Sequence, residues 1–145
     1  MTHVNLSKQH PIAYKGIVAL NKDADEAAAH AGLEPKLTEL VKIRVSQLNG
    51  CAFCLRMHTR DAIAKGETTD RLAVIAAWWE SQYFTEQERA ALALAEDVTR
   101  LPVPEGREWD NGSLNDEQVS AVSWLVIVMN AWNRIAIRSH YPVAP

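Results

Sequence analysis

Both cysteines of the chain lie in one stretch, residues 39–58, with the sequence ELVKIRVSQLNGCAFCLRMH. The Asn-Gly dipeptide in its middle favours a turn, and the residues on either side are typical of two helices folded back on each other. Cys51 and Cys54 form a C-x-x-C, and His58 follows four residues after Cys54. Positions i, i+3 and i+7 predict that these three side chains share one stripe of the second helix.

Glu39 adds a carboxylate to this stretch, twelve residues before Cys51. In an antiparallel hairpin mirrored about Gly50, Glu39 would lie opposite residue 61. The rise of ~1.5 Å per residue then separates it from His58 by only about 4.5 Å along the helix axis. We therefore expect a carboxylate, an imidazole and two thiols to converge on one seam, and we interpret Glu39, Cys51, Cys54 and His58 as a candidate redox site.

The remaining sequence carries helix signals and no alternating pattern typical of a strand. Thr85 with Glu88 and Asn115 with Gln118 form capping-box patterns. We expect an all-α fold of about six helices in a single domain, residues 1–145. The first nine residues are expected to form an irregular arm, and residues 101–113 a loop rich in helix breakers. The predicted helices begin at Pro11, at Pro35, at about Cys51, after Thr68 or Thr69, after Thr85, and at Asp116. The helix that begins after Thr68 or Thr69 is expected to run through Trp79.

Composition limits the class of protein. The chain has 145 residues, of which 48% are apolar and 23% charged, as in a soluble globular domain. Its net charge of −3 and lack of a basic cluster argue against a nucleic-acid partner. No secretory signal and no apolar run of about 18 residues is visible, so we expect a cytoplasmic protein with no membrane partner. In that compartment, two cysteines indicate redox or metal chemistry rather than a structural disulfide.

A C-x-x-C at the start of a helix has a physical rationale, because the unpaired N–H groups and the helix dipole favour the thiolate. His58, one turn after Cys54, can accept or relay a proton. Glu39 can orient the imidazole or act as the final base. A second cysteine three residues away can resolve a sulfenic acid before it is oxidised further. Together these groups meet the needs of a cysteine peroxidase.

The spacing E-x11-C-x2-C-x3-H resembles the active-site pattern of the alkylhydroperoxidase AhpD family, within the carboxymuconolactone decarboxylase-like superfamily. The segment LTELVKIRVSQLNGCAFCLRMHTRDA is similar to the family core, and NAWNR at residues 130–134 to its long C-terminal helix. The resemblance covers about residues 10–140. Phe53 stands between the cysteines where the well-studied peroxidases have a histidine.

The resemblance implies a helical bundle that assembles as a trimer or hexamer. It implies that Cys54 attacks a hydroperoxide and Cys51 resolves the product, while His58 and a water relay the proton toward Glu39. No bound cofactor is implied, and an external dithiol, of the lipoyl type in the best-studied members, restores the thiols. The substrates would be organic hydroperoxides or hydrogen peroxide. The superfamily's true decarboxylases lack the cysteine pair, which disfavours a lactone reaction.

Alternatives remain open at the level of sequence. The pair could be a redox sensor or a general disulfide oxidoreductase, or the four side chains could bind zinc, although structural zinc sites rarely use a carboxylate. Ser46 could hold a relay water or serve helix packing. Arg44 and Arg134 are expected to pair with carboxylates at a helix or subunit contact rather than to bind substrate. Adjacent residues on a helix differ by ~100°, so Trp78 and Trp79 are not expected to face the same core.

Overall fold

The computed structural model describes residues 3–101 and 111–145, and this part of the chain is helical with no strand. The all-α prediction is confirmed, with seven α-helices rather than about six. The elements are α1 (Leu6–Gln9), α2 (Pro11–His30), α3 (Pro35–Asn49), α4 (Ala52–Ala64), α5 (Thr69–Val74), a 3₁₀ helix (Ile75–Glu80), α6 (Glu86–Arg100) and α7 (Asp116–Arg138).

The additional helix, α1, lies where an irregular arm was expected. The Asn5 side chain caps it by accepting a hydrogen bond from the Lys8 backbone N–H at 3.0 Å. The Leu6 N–H donates to Ser139 Oγ at 3.0 Å and so ties α1 to the end of α7. A helix of four residues is unstable alone. Its formation therefore depends on a contact that lies 133 residues away in sequence.

The helix predicted to run through Trp79 ends earlier, at Val74, and continues as the 3₁₀ helix. Within the latter, Ala77 has a non-helical backbone (φ −126°, ψ 36°). Arg89 from α6 donates to the carbonyl oxygens of Trp78 and Trp79, at 3.2 and 3.0 Å. These carbonyls have partners on another helix, so the chain can leave the α-helical ladder here without losing hydrogen bonds. The prediction was wrong because it could not include this tertiary contact.

Helix α3 is the central element of the bundle. Every residue from Leu37 to Ser46 is buried, because α3 packs against α4, α6 and α7. It ends at Gly50, whose left-handed backbone (φ 68°) reverses the chain. The N–H of Cys51 donates to the Ser46 carbonyl at 3.0 Å, as in a Schellman cap. This turn sets α4 antiparallel to α3.

Helix α7 is long and apolar enough to cross a membrane by length and composition alone. Here its apolar side chains pack against α2, α3 and α6. Its polar side chains also have partners within the fold: the Asn49 side chain donates to Asn130 Oδ1 and Asn133 Oδ1, both at 2.9 Å. We therefore interpret α7 as a core helix. The loop expected at residues 101–113 lies largely outside the described residues.

Both predicted capping boxes are confirmed. At α6, Thr85 Oγ1 accepts from the Glu88 N–H at 3.2 Å, and Glu88 Oε2 accepts from the Thr85 N–H at 2.8 Å. Thr85→Ala removes one of these bonds and leaves an N–H without its partner. We expect the free energy of unfolding to fall by about 1 kcal/mol in urea denaturation. Ser120→Ala, an exposed hydroxyl inside α7, is the control and should change it by less than about 0.5 kcal/mol. Equal effects of the two variants would contradict this assignment.

Candidate active site

The two cysteines lie at the start of α4, directly after the Gly50 turn. Cys51 is the N-cap of α4 and has an extended backbone (φ −89°, ψ 95°), so the helix begins at Ala52, in agreement with the start predicted at about Cys51. Its sulfur accepts a hydrogen bond from the Cys54 N–H at 3.3 Å. The stripe predicted for three residues therefore holds within the helix only for Cys54 and His58.

Cys51 and Cys54 are joined by a disulfide. Both residues are buried, at 1% and 2% exposure. Only the reduced pair could supply a thiolate. The structure thus contains the oxidised form of the pair.

Glu39 and His58 meet across the seam between α3 and α4. His58 Nδ1 lies 2.9 Å from Glu39 Oε2, and both side chains are buried. Asp61 Oδ2, one turn further along α4, lies 3.8 Å from the same nitrogen. Glu39 thus reaches His58 across the hairpin, as helical spacing predicts, and Asp61 lies close to both.

Two lysines surround the Glu39 carboxylate. Lys65 at the end of α4 donates to Glu39 Oε1, and Lys42, on α3, lies 3.9 Å from the same oxygen. Burial alone would raise the pKa of the Glu39 carboxyl. The hydrogen bonds from His58 and Lys65 and the charge of Lys42 outweigh burial and lower this pKa to about 2. Glu39 is therefore ionised at neutral pH.

The ionised carboxylate determines the tautomer of the neutral His58 ring. A carboxylate can only accept a hydrogen bond, so Nδ1 must carry the proton and Nε2 must hold the lone pair. Nε2 is buried and has no hydrogen-bond partner among the protein atoms of the described residues. Cys54 and His58 are four residues apart on α4 and so are neighbours on its surface. The ring thus offers a basic nitrogen on the cysteine's face of the helix.

A cavity of about 520 Å³ adjoins these groups and is lined by Cys54, His58 and Glu39. We call it the first cavity. Cys51 is not part of its lining. The rest of its wall is largely apolar and comes from α2, α4, α7 and the segment after α7, through residues that include Tyr14, Val18, Phe53, Met57, Met129, Trp132 and Tyr141.

A hydrogen-bonded chain follows the wall of the first cavity from α7 to the carboxylate. Trp132 Nε1 donates to Asn21 Oδ1 at 3.0 Å. The Nδ2 of Asn21 in turn donates to Asp25 Oδ2 at 3.2 Å. Asp25 Oδ1 accepts from Lys42 Nζ at 2.8 Å, and Lys42 faces Glu39. All of these residues line the cavity.

Sequence reasoning missed both lysines. Lys65 lies seven residues after His58, and Lys42 three residues after Glu39, so helical periodicity could have placed each beside the site. The members of the chain on α2 and α7 carried no such signal. Their positions follow only from how these helices pack.

Other polar side chains named from sequence have structural partners. Ser46 Oγ donates to the Lys42 carbonyl and accepts from Asn133 Nδ2, at 2.8 and 3.1 Å, which favours helix packing over a relay role. Arg44 pairs with Glu96 on α6, with Nη2 2.8 Å from Oε1.

The expected separation of the two tryptophans is confirmed, since Trp78 is buried and Trp79 is 43% exposed. Arg134 pairs with no carboxylate among the described residues, and its pairing at a subunit contact stays a prediction. This side chain donates to the Asn130 carbonyl and Oδ1 at 2.9 and 3.1 Å.

The geometry gives little support to the zinc alternative. Glu39, His58 and Asp61 place potential ligand atoms within 4.8 Å of one another. However, the lysines at Glu39 already supply positive charge at this carboxylate, and a further cation there would be repelled. Both sulfurs are also engaged in the disulfide.

The model of the carboxymuconolactone decarboxylase family matches residues 12–97, which include all four predicted site residues. The chain belongs to this family. The matched region extends from α2 to the last turns of α6. The family resemblance read from the cysteine motif is thereby confirmed.

Two curated relatives are uncharacterized proteins. The chain is 38% identical over 123 residues to YdfG of Bacillus subtilis, a match that covers 79% of this chain and 81% of YdfG. It is 31% identical over 70 residues to YnjA of Escherichia coli, covering 48% of this chain and 38% of YnjA. Most of the length of YnjA therefore lies outside the match.

A crystal structure of another protein has the same fold as this chain. It is a protein of unknown function from Agrobacterium tumefaciens, provisionally named antioxidant defence protein AhpD. The TM-score is 0.85 at 33% identity, covering 99% of this chain and 100% of the other. This match confirms the AhpD-like helical fold.

The lowered pKa of Glu39 makes a prediction about acid stability. A carboxyl group whose pKa is lower in the folded state than in the unfolded state stabilises the fold. This contribution is fully present at pH values above the pKa of the unfolded state, and it is lost as the pH falls toward the pKa of the folded state. A fall from 4.5 to about 2 corresponds to a contribution of order 3 kcal/mol. We expect the wild type to exceed Glu39→Gln in free energy of unfolding at pH 6, with the difference shrinking below about pH 4.5.

Urea denaturation of both proteins between pH 3 and pH 7 measures this difference. Other carboxylates are common to both proteins and cancel to first order. A difference that stays constant down to pH 3 would show that Glu39 is not held ionised by its neighbours.

Proposed function

We propose that this protein is a thiol-dependent peroxidase, which reduces organic hydroperoxides or hydrogen peroxide at Cys54 and serves antioxidant defence. One observation carries the proposal: His58 Nδ1 is engaged by Glu39, while its buried Nε2 has no protein partner, one turn from Cys54 beside a cavity. This leaves a base where a cysteine nucleophile needs one. Membership of the carboxymuconolactone decarboxylase family and the AhpD-like fold support the assignment.

In the first step, the reduced Cys54 gives its proton to His58 Nε2. The thiolate then attacks the distal peroxide oxygen, the O–O bond breaks, and the electron pair leaves with the alkoxide. The proton on His58 passes to that alkoxide, which departs as an alcohol. Cys54 is left as a sulfenic acid.

In the second step, Cys51 resolves the sulfenic acid. Its thiolate attacks the Cys54 sulfur and displaces hydroxide, which is protonated to water. The product is the disulfide that the structure contains. As the N-cap of α4, Cys51 has the Cys54 N–H directed at its sulfur, and this contact favours the thiolate form.

We assign Glu39 the role of orienting and stabilising His58 rather than that of final proton acceptor. A carboxyl with a pKa of about 2 holds a proton poorly at neutral pH, so Glu39 remains a hydrogen-bond acceptor for His58 Nδ1. The proton therefore needs to travel only between sulfur, His58 and the leaving oxygen. This modifies the relay toward Glu39 that the family resemblance implies.

An external dithiol, of the lipoyl type or another class, would restore the pair, and the chemistry requires no bound cofactor. We also propose a cytoplasmic location and a homo-oligomer, a trimer or hexamer. Exposed apolar side chains on α7, Trp124 at 46% and Ile127 at 44%, support further packing.

A general disulfide oxidoreductase is the second candidate. The placement of Cys51 as N-cap, with its sulfur accepting the Cys54 N–H, is also the device that activates C-x-x-C oxidoreductases. Such an enzyme would exchange disulfides with a partner in the absence of any peroxide.

Paired serine substitutions test the peroxidase. With dithiothreitol or a lipoyl domain as reductant, we expect Cys54→Ser to lose hydroperoxide turnover because the attacking sulfur is gone. Cys51→Ser, reduced beforehand and freed of dithiol, should consume about one equivalent per protein and stop at the sulfenic acid, since the resolving thiol is missing and no external thiol can replace it. Stopped-flow peroxide consumption with sulfenate trapping measures both. Wild-type consumption by Cys54→Ser would end the proposal, and disulfide exchange without peroxide reduction in the wild type would favour the second candidate.

A further inference from the structure

The two cysteines of the disulfide line different cavities. Cys54 lines the first cavity, and Cys51 does not. Cys51 lines a second cavity of about 210 Å³, whose lining in turn omits Cys54. Phe53, Ala136 and Tyr141 line both cavities and so form the partition between them.

The chain after α7 builds the outer wall of the second cavity. Arg56 on α4 donates to the carbonyl oxygens of Ala144 and Pro142, at 2.8 and 3.3 Å. The Tyr141 ring packs edge-to-face on Phe53, with centroids 5.1 Å apart. These contacts hold the segment beside the start of α4. Its Val143 faces the second cavity together with Ile137, and neither residue lines the first cavity.

We propose that the second cavity is where a small dithiol reductant attacks the disulfide, at the Cys51 sulfur, while the first cavity admits the peroxide to Cys54. This inference rests on the proposed function and adds to it a separate site for the reductant. It assigns the two half-reactions to two cavities and to two different sulfurs.

Thiol–disulfide exchange places a directional requirement on the reductant. The incoming thiolate approaches a sulfur in line with the bond that breaks, from the side away from the other sulfur. A thiolate in the first cavity can therefore reach only Cys54, and one in the second cavity only Cys51. Which sulfur is attacked then depends on access and on the leaving group.

The leaving group favours attack at Cys51. The reductant thiolate forms a bond to the Cys51 sulfur, the Cys51–Cys54 bond breaks, and its electron pair goes to the Cys54 sulfur. Cys54 leaves as a thiolate, and the proton that the reductant thiol loses can be taken up at His58 Nε2, so that the ring then donates to this thiolate one turn away. A leaving thiol that is stabilised in this way departs faster.

The second thiolate of the reductant completes the exchange. It attacks the reductant sulfur bound to Cys51, forms the oxidised reductant and releases the Cys51 thiolate. The dithiol loses two electrons and two protons, and the cysteine pair gains them. Cys54 is never occupied by the reductant, so the first cavity stays open for the next peroxide.

Two exposed valines provide a matched test. Val143 lines only the second cavity and Val18 only the first, at 42% and 45% exposure. Replacing either by Trp fills its cavity without opening a hole in the core. Reduction of the oxidised protein by dithiothreitol and oxidation of the reduced protein by cumene hydroperoxide are then measured separately, by alkylation and mass spectrometry.

We expect Val143→Trp to slow the reduction about tenfold or more and to leave the oxidation rate of Cys54 within about twofold of wild type, because access to only one sulfur is blocked. Val18→Trp should show the reverse pattern. Slower reduction in Val18→Trp, or unchanged reduction in Val143→Trp, would overturn the proposal. If Val143→Trp fails to fold, Ile137→Trp, 42% exposed on α7, blocks the same cavity and is read in the same way.

Failure of the proposed function is distinguishable from failure of this inference. The reduction arm starts from the oxidised protein and contains no peroxide. If the reduced wild type does not react with hydroperoxide, the peroxidase proposal falls. The two valine variants still decide through which cavity the disulfide is reduced.

Discussion

The hydrogen bond between Glu39 and His58 is the interaction on which the chemistry of this fold depends. It joins α3 to α4 at 2.9 Å, inside the protein. A buried carboxylate is costly unless charges and hydrogen bonds compensate for it. Lys65 and Lys42 provide that compensation. Removing either lysine would therefore act on the histidine through the carboxylate.

The fold brings these groups together through one reversal of the chain. The left-handed conformation at Gly50 (φ 68°) ends α3 and lets α4 run back along it. The disulfide then lies at the turn, and the Glu39–His58 hydrogen bond lies one helical turn beyond Cys54 along the seam. Helices α2 and α7 add the walls of the first cavity. A sequence motif is thus not sufficient for a site, because the surroundings that enclose it come from distant segments.

Much of this arrangement could be predicted from the sequence. Helix bounds near Pro11, Pro35 and Asp116 follow from proline and capping preferences, and the approach of Glu39 to His58 follows from helical spacing. These predictions succeed because they depend on local residues and on one turn. The same is true of the family, whose pattern lies in a single stretch.

The structural features that the sequence predictions got wrong or missed all depend on tertiary contacts. Helix α1 exists through its tie to Ser139, and the 3₁₀ helix is stabilised by Arg89. The hydrogen-bonded chain from Trp132 to Lys42 crosses three helices. The spacing of residues within a single helix cannot predict contacts between helices that are distant in sequence. The second cavity likewise requires the segment after α7 to lie against α4.

The central claim is that Glu39 fixes His58 with its proton on Nδ1, so that Nε2 is the base for Cys54. Nitrogen-15 NMR of the histidine side chains in the reduced protein measures this directly. In the neutral form of the ring, the account predicts a protonated Nδ1 and an unprotonated Nε2, and predicts that Glu39→Gln changes the nitrogen shifts of His58. A neutral His58 protonated at Nε2 in the wild type would contradict the account.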